Sequence, residues 1–130
     1  MIDNVDLFAD VAAGLFASLY LSFPIPVDVE VDLLGDQTLG ESDPFGATRD
    51  TFVEATLAWL GNANIIVFEP GQLGARTIER VALTARGFLA LQSTLPGAGG
   101  STVGRSLVLG PAADLRRSLV SAALSGAAPP

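Results

Sequence analysis

A chain of 130 residues with 49% hydrophobic and 16% charged side chains is long and apolar enough to close one compact core. It contains neither cysteine nor histidine, which excludes disulfides, thiol catalysis, Cys/His zinc sites and a Ser-His-Asp triad. The formal charge of −7 is lopsided: up to Glu54 eleven acids face Arg49 alone, whereas from Ala55 onward six arginines face three acids.

The first predicted element is a helix that starts near Asp6 and carries Leu7, Phe8, Val11, Ala12, Leu15, Phe16, Leu19 and Tyr20 at steps of three and four. Pro24 and Pro26 end it at Phe23. The apolar run over 11–23 is too short for a membrane span of about 20 residues, and Asp3, Asp6 and Asp10 stand where a secretory signal carries positive charge. A cytoplasmic protein without a membrane segment is expected. Next, VDVEVDLL over 27–34 alternates like a strand and then suits a short helix closed by Gly35. Its acids Asp28, Glu30 and Asp32 would face one way on a strand and could gather a divalent cation, but such a row ordinarily marks the solvated face opposite Val27, Val29 and Val31. No metal, cofactor or catalytic residue is expected.

Residues 35–46 read as loop. Thr48 then offers an N-cap to a helix over 48–60 with Phe52, Val53, Leu57, Trp59 and Leu60 as its buried stripe, stopped by Gly61 and Asn62. A hairpin follows, in which 64–68 and 77–83 are β-rich and EPGQLG over 69–74 supplies the turn. Thr84 caps a further helix, ARGFLALQSTL, that Pro96 stops.

A two-stranded ribbon is not stable alone and must lay one face on the helices. That order of elements, together with the phrase Val81-Ala82-Leu83-Thr84-Ala85-Arg86-Gly87 at the exit of the second strand, resembles the winged helix-turn-helix domains of bacterial regulators. The resemblance implies an α+β, mainly α fold: a winged-helix-like three-helix core with a two- or three-stranded β-wing over residues 1–95. It implies that 48–60 occupies the position of the recognition helix, that 69–76 is the wing, and that Arg49, Arg76, Arg80 and Arg86 contact DNA phosphates. Asp50 and Glu54 on the same helix, and the absence of a basic footprint, speak for a second reading. In that reading the chain is an acidic adaptor or assembly subunit whose partner is a basic protein.

GGSTVGRS, from Gly99 to Ser106, is one letter from the phosphate loop G-x-x-x-x-G-K-[ST]. A working loop of that kind joins a buried strand to a helix. Here a helix precedes it, arginine replaces lysine, and no later strand carries an aspartate for magnesium. Residues 96–102 are therefore expected to be a Gly-rich linker and 103–130 a C-terminal helical tail. Its second helix, over 111–124, puts Leu115, Leu119 and Ala122 on one face with Arg116 and Arg117 beside it. A helix that short must dock, either on its own chain or on a second copy as a homodimer contact.

Overall fold

The computed structural model describes residues 2–94 and 101–127. The elements are α1 (Asn4–Ser22), β1 (Val27–Glu30), α2 (Val31–Leu39), α3 (Arg49–Asn62), β2 (Ile66–Val67), β3 (Thr77–Leu83), α4 (Ala85–Leu91), α5 (Val103–Val108) and α6 (Ala113–Ala127). The fold is α+β and mainly α, with a three-stranded antiparallel sheet in the order β1-β3-β2.

Helix α1 begins at a capping box in which Asp3 accepts from the Asp6 amide and Asp6 from the Asp3 amide. From Leu7 to Leu19 it is buried around most of its circumference, as a central helix must be. By length and composition alone it could cross a bilayer, but here that apolar surface is covered by α2, α5 and α6. Both α2 and α3 lie on one flank, and α5 and α6 on another.

The strand predicted over 64–68 shortens to Ile66–Val67, because Asn64 turns through a left-handed conformation with φ 61°. The third strand comes from VDVE, where Val27 pairs with Val81 and Val29 with Ile78. That leaves Glu79 and Arg80 opposite Asp28 in a bulge. Arg80 takes φ 58° there, and its amide donates to Asp28 Oδ1 at 3.1 Å.

Three helix ends differ from expectation. Gly35 does not close α2; it packs on Val53, and the helix runs on to bury Leu39 before Gly40 ends it at φ 57°. Asn62, expected to stop α3, is its last residue and Gly61 lies within it. Conversely, α4 stops at Leu91, where Gln92 caps it and Thr94 bridges to Thr102. Leu95, Pro96 and residues 97–100 of the expected linker lie outside the described residues.

The segment expected to be a separate tail shares the core of the first ninety-odd residues. Val103, Leu107, Leu119, Val120 and Ala123 join one cluster with Leu7, Phe16, Val53 and Ile78. Where the chain returns, Val103 N donates to Ser93 O at 2.8 Å. Pro111, expected in the first turn of the last helix, stands two residues before α6.

Candidate interaction surface

The four arginines expected at a nucleic-acid surface sit in unlike surroundings. Arg49, first residue of α3, is turned back into the α2–α3 connection. Its Nη1 donates to Asp36 Oδ1 at 3.4 Å, Nη2 donates to the carbonyl oxygens of Gly40 and Ser42, and Nε lies 3.8 Å from Asp43 Oδ1. Its charge is met by two carboxylates and its fork holds the connection in place. Arg76 is 90% exposed and only loosely paired with Asp32, at 3.7 Å. Arg80 on β3 and Arg86 on the first turn of α4 are exposed and make no ion pair among the described residues.

The acids expected to share a strand face are divided between elements. Asp28 accepts the Arg80 amide from within β1, while Asp32 belongs to the first turn of α2 and accepts from its neighbour's amide. Among the described residues no three acids come together in a way that could hold a metal ion.

Of the motif resembling a phosphate loop, Gly99 lies outside the described residues. Gly104, Arg105 and Ser106 are in α5. A Cβ on Gly104 would collide with the Tyr20 ring, so this glycine lets α5 close on α1. The Tyr20 hydroxyl in turn bonds Gln92 Oε1 and lies 3.1 Å from Thr102 Oγ1.

The phrase ending in Gly87 has a local cause of the same kind. The Thr84 hydroxyl accepts from Gly87 N at 3.0 Å and donates to Asn64 O at 2.6 Å, so it caps α4 and fixes the α3–β2 turn at once. Gly87 faces the Ile65 carbonyl oxygen so closely that a Cβ could not fit.

The expected docking face of the last helix divides. Leu119 is 1% exposed within the chain's own core, Ala122 is half-buried, and Leu115 stays 52% exposed. What holds α6 was not anticipated from the sequence: Asp10, only 5% exposed in α1, accepts four hydrogen bonds of 2.8–3.1 Å from Arg116 and Arg117. The hydrogen bonds that Arg117 donates to Asp10 raise its pKa above the ordinary value. The signal available in the sequence was a lone acid inside an otherwise apolar helical run.

The outer face of α3 carries a different chemistry. Asp50, Thr51, Ala55 and Trp59 are exposed, and Trp59, expected in the buried stripe, is 51% exposed. Val53, Thr56, Leu57 and Leu60 already fill the inner side of that helix. Between α3 and the start of α1 runs an open groove of about 350 Å³, lined by Asn4, Val5 and Phe8 on one side and Phe52, Ala55, Thr56 and Trp59 on the other. Phe8 and Trp59 meet edge to face, centroids 5.2 Å apart.

Both polar residues of the lining are hydrogen-bonded within the chain. Thr56 Oγ1 donates to Phe52 O at 2.9 Å, and the Asn4 amide bonds Phe45 twice, donating to its carbonyl at 3.0 Å and accepting from its N–H at 2.9 Å. The second contact presents Phe45, 90% exposed, at the Asn4 end of the groove. Val5 is 74% exposed beside it. A second apolar cluster lies at the other end of α1, where Phe23 stacks on Phe88 with centroids 4.0 Å apart and Leu21, Ile25 and Leu89 are exposed.

Comparison with protein-family models, with curated proteins and with solved structures gave no match.

Proposed function

We propose that this chain is a non-enzymatic binding module of winged-helix type that acts by holding another protein. The architectural part is supported by the run of one helix, a strand, two helices and two strands into a fourth helix, by the sheet order β1-β3-β2, and by the junction at Thr84 and Gly87. In that arrangement α3 has the position of a recognition helix. The single observation that carries the choice of partner is the state of α3: its only cation, Arg49, is bonded into the loop behind it, and its outer face offers Asp50, Ala55 and Trp59. A surface of that composition repels phosphate and favours apolar contact.

DNA binding through Arg76, Arg80 and Arg86 is the second reading, favoured by their exposure near β3 and the start of α4. Anisotropy of a labelled random duplex at low salt separates the two. On the protein-contact reading micromolar chain leaves the duplex free. Salt-steep binding that disappears in an Arg76→Glu, Arg80→Glu double variant would replace it with the DNA reading.

A further inference from the structure

We infer that the open edge of β1 receives an extended segment of a partner protein, alternating apolar and basic side chains, that pairs with β1 as a fourth strand. The inference rests on the reading of this chain as a protein-binding module and adds where, and in what conformation, a partner is held.

The order β1-β3-β2 leaves β1 at one edge of the sheet, and of the two edge strands it is the longer, four residues against two. In an antiparallel pair alternate residues bond across the ladder, and those between them point their backbone groups outward. Val31 N donates to Arg76 O at 2.9 Å and Val29 stands opposite Ile78, so Val29 and Val31 bond toward β3. Asp28 and Glu30 therefore turn their N–H groups to the open side, together with the Asp28 carbonyl. No other element of the described residues gives either amide a backbone partner. Unpaired groups on a strand edge are a template for strand addition.

Beside that edge the surface suits the side chains of a strand. A cleft of about 140 Å³ is lined by all four residues of β1, by Leu15 of α1 and by Leu33, Leu34 and Gln37 of α2. Apolar side chains on one face of the added strand would lie next to Val27 and Val29 and share the cleft with Leu33, which is 48% exposed.

The other face fixes the charge. Side chains there become cross-strand neighbours of Asp28 and Glu30, with Cβ atoms about 5.5 Å apart, and both acids are exposed. The cleft lining contains these two carboxylates and no cation. Glu30 makes no ion pair among the described residues. Asp28 keeps its charge, because what its Oδ1 accepts is the neutral amide of Arg80. Arg76 and Arg80 stand just before β3 and within it, across β1 from the added strand, and Arg76 already lies 3.7 Å from Asp32. Lysine or arginine opposite Asp28 and Glu30 is thus the favoured pairing. The same acids keep out a second copy of this chain, since β1 laid antiparallel on β1 would set carboxylates against each other.

The edge amides report occupancy themselves. Their hydrogen exchange is followed by NMR in the full chain, alone and with a short peptide alternating valine and lysine. In the free chain the Asp28 and Glu30 amides should exchange faster than those of Val29 and Val31. With the peptide they should slow at least about tenfold, and less so as salt rises. A valine–glutamate peptide should leave them unchanged. So should a valine–lysine peptide N-methylated at its lysines, which keeps charge and apolar surface but cannot donate to the edge. Glu30 caps α2 without a side-chain bond, so Glu30→Lys should leave the melt unchanged while weakening the lysine peptide about fivefold. No slowing with the lysine peptide, equal slowing with the glutamate or methylated peptide, binding indifferent to Glu30→Lys, or slowing on concentrating the chain alone would each overturn the inference. If the peptide fails and the random duplex also stays free, only the strand site is wrong; if the duplex binds, the protein-contact reading falls with it.

Discussion

Asp10 and its two arginines form a small charged island in an apolar molecule. A carboxylate this deep is tolerated because four charge-assisted hydrogen bonds replace its hydration. Asp10→Ala should lower stability by about 3–5 kcal/mol, read from the denaturant midpoint, and should loosen α6 first in hydrogen exchange. The Arg117 side of the pair is insensitive to pH in any ordinary buffer. Its raised pKa means that its stabilising effect is complete below the ordinary arginine range and is lost only as pH rises through the still higher folded value. Legibility at this scale was uneven. Thr48 and Thr84 were readable as caps because a cap is a local bargain between one side chain and the next turn, whereas the first helix was expected to start near Asp6 and is capped by Asp3. The Asp10 pairing joins positions 106 and 107 apart, and nothing in the local pattern of either helix specifies the other. Trp59 was misplaced for a related reason: periodicity shows that a helix has an apolar face, but not how much of it neighbouring elements will cover.

Among the elements, the β3–α4 junction is the most tightly specified. Thr84 binds forward to its own helix and backward to the α3–β2 turn, while Gly87 gives Ile65 room. Thr84→Ala should cost about 1–2 kcal/mol, the ordinary range for a lost cap. Gly87→Ala should cost more, about 3 kcal/mol, because the obstacle is backbone and cannot rotate away. Thermal melts of the two variants side by side test the order, which reverses if the cap dominates. The phrase containing these residues was legible as a strand running into a helix, and the structure gives the reason for its threonine and its glycine. Element lengths were less legible. Burial of Leu39 carried α2 past a glycine that would stop an isolated helix, and the Thr94–Thr102 bridge diverted the chain before α4 could reach its proline. Both are tertiary effects that override local propensity.

For the whole molecule, the decisive feature is that α5 and α6 complete the core. Deleting residues 101–130 removes Val103, Leu107, Leu119, Val120 and Ala123 from one contiguous cluster and strips Asp10 of both partners. The truncated chain should therefore bind a hydrophobic dye and lose its cooperative melt; a sharp, dye-free transition would restore the picture of an independent domain over 1–95. Fold class and element order were legible, since turn residues and hydrophobic runs report them. That the last helix must dock was legible too, but not whether it would dock on its own chain or on a second copy, because a glycine-rich stretch reads alike whether it leads away from a core or back onto it. That union also sets the molecule's folding problem. Small helical proteins gain speed from contacts between near neighbours in sequence, yet here the contact that seals the interior closes a loop spanning 106 positions. Rich in helix, this chain nevertheless has at its centre a closure as non-local as the strand pairings that make β-proteins slow to find their native state.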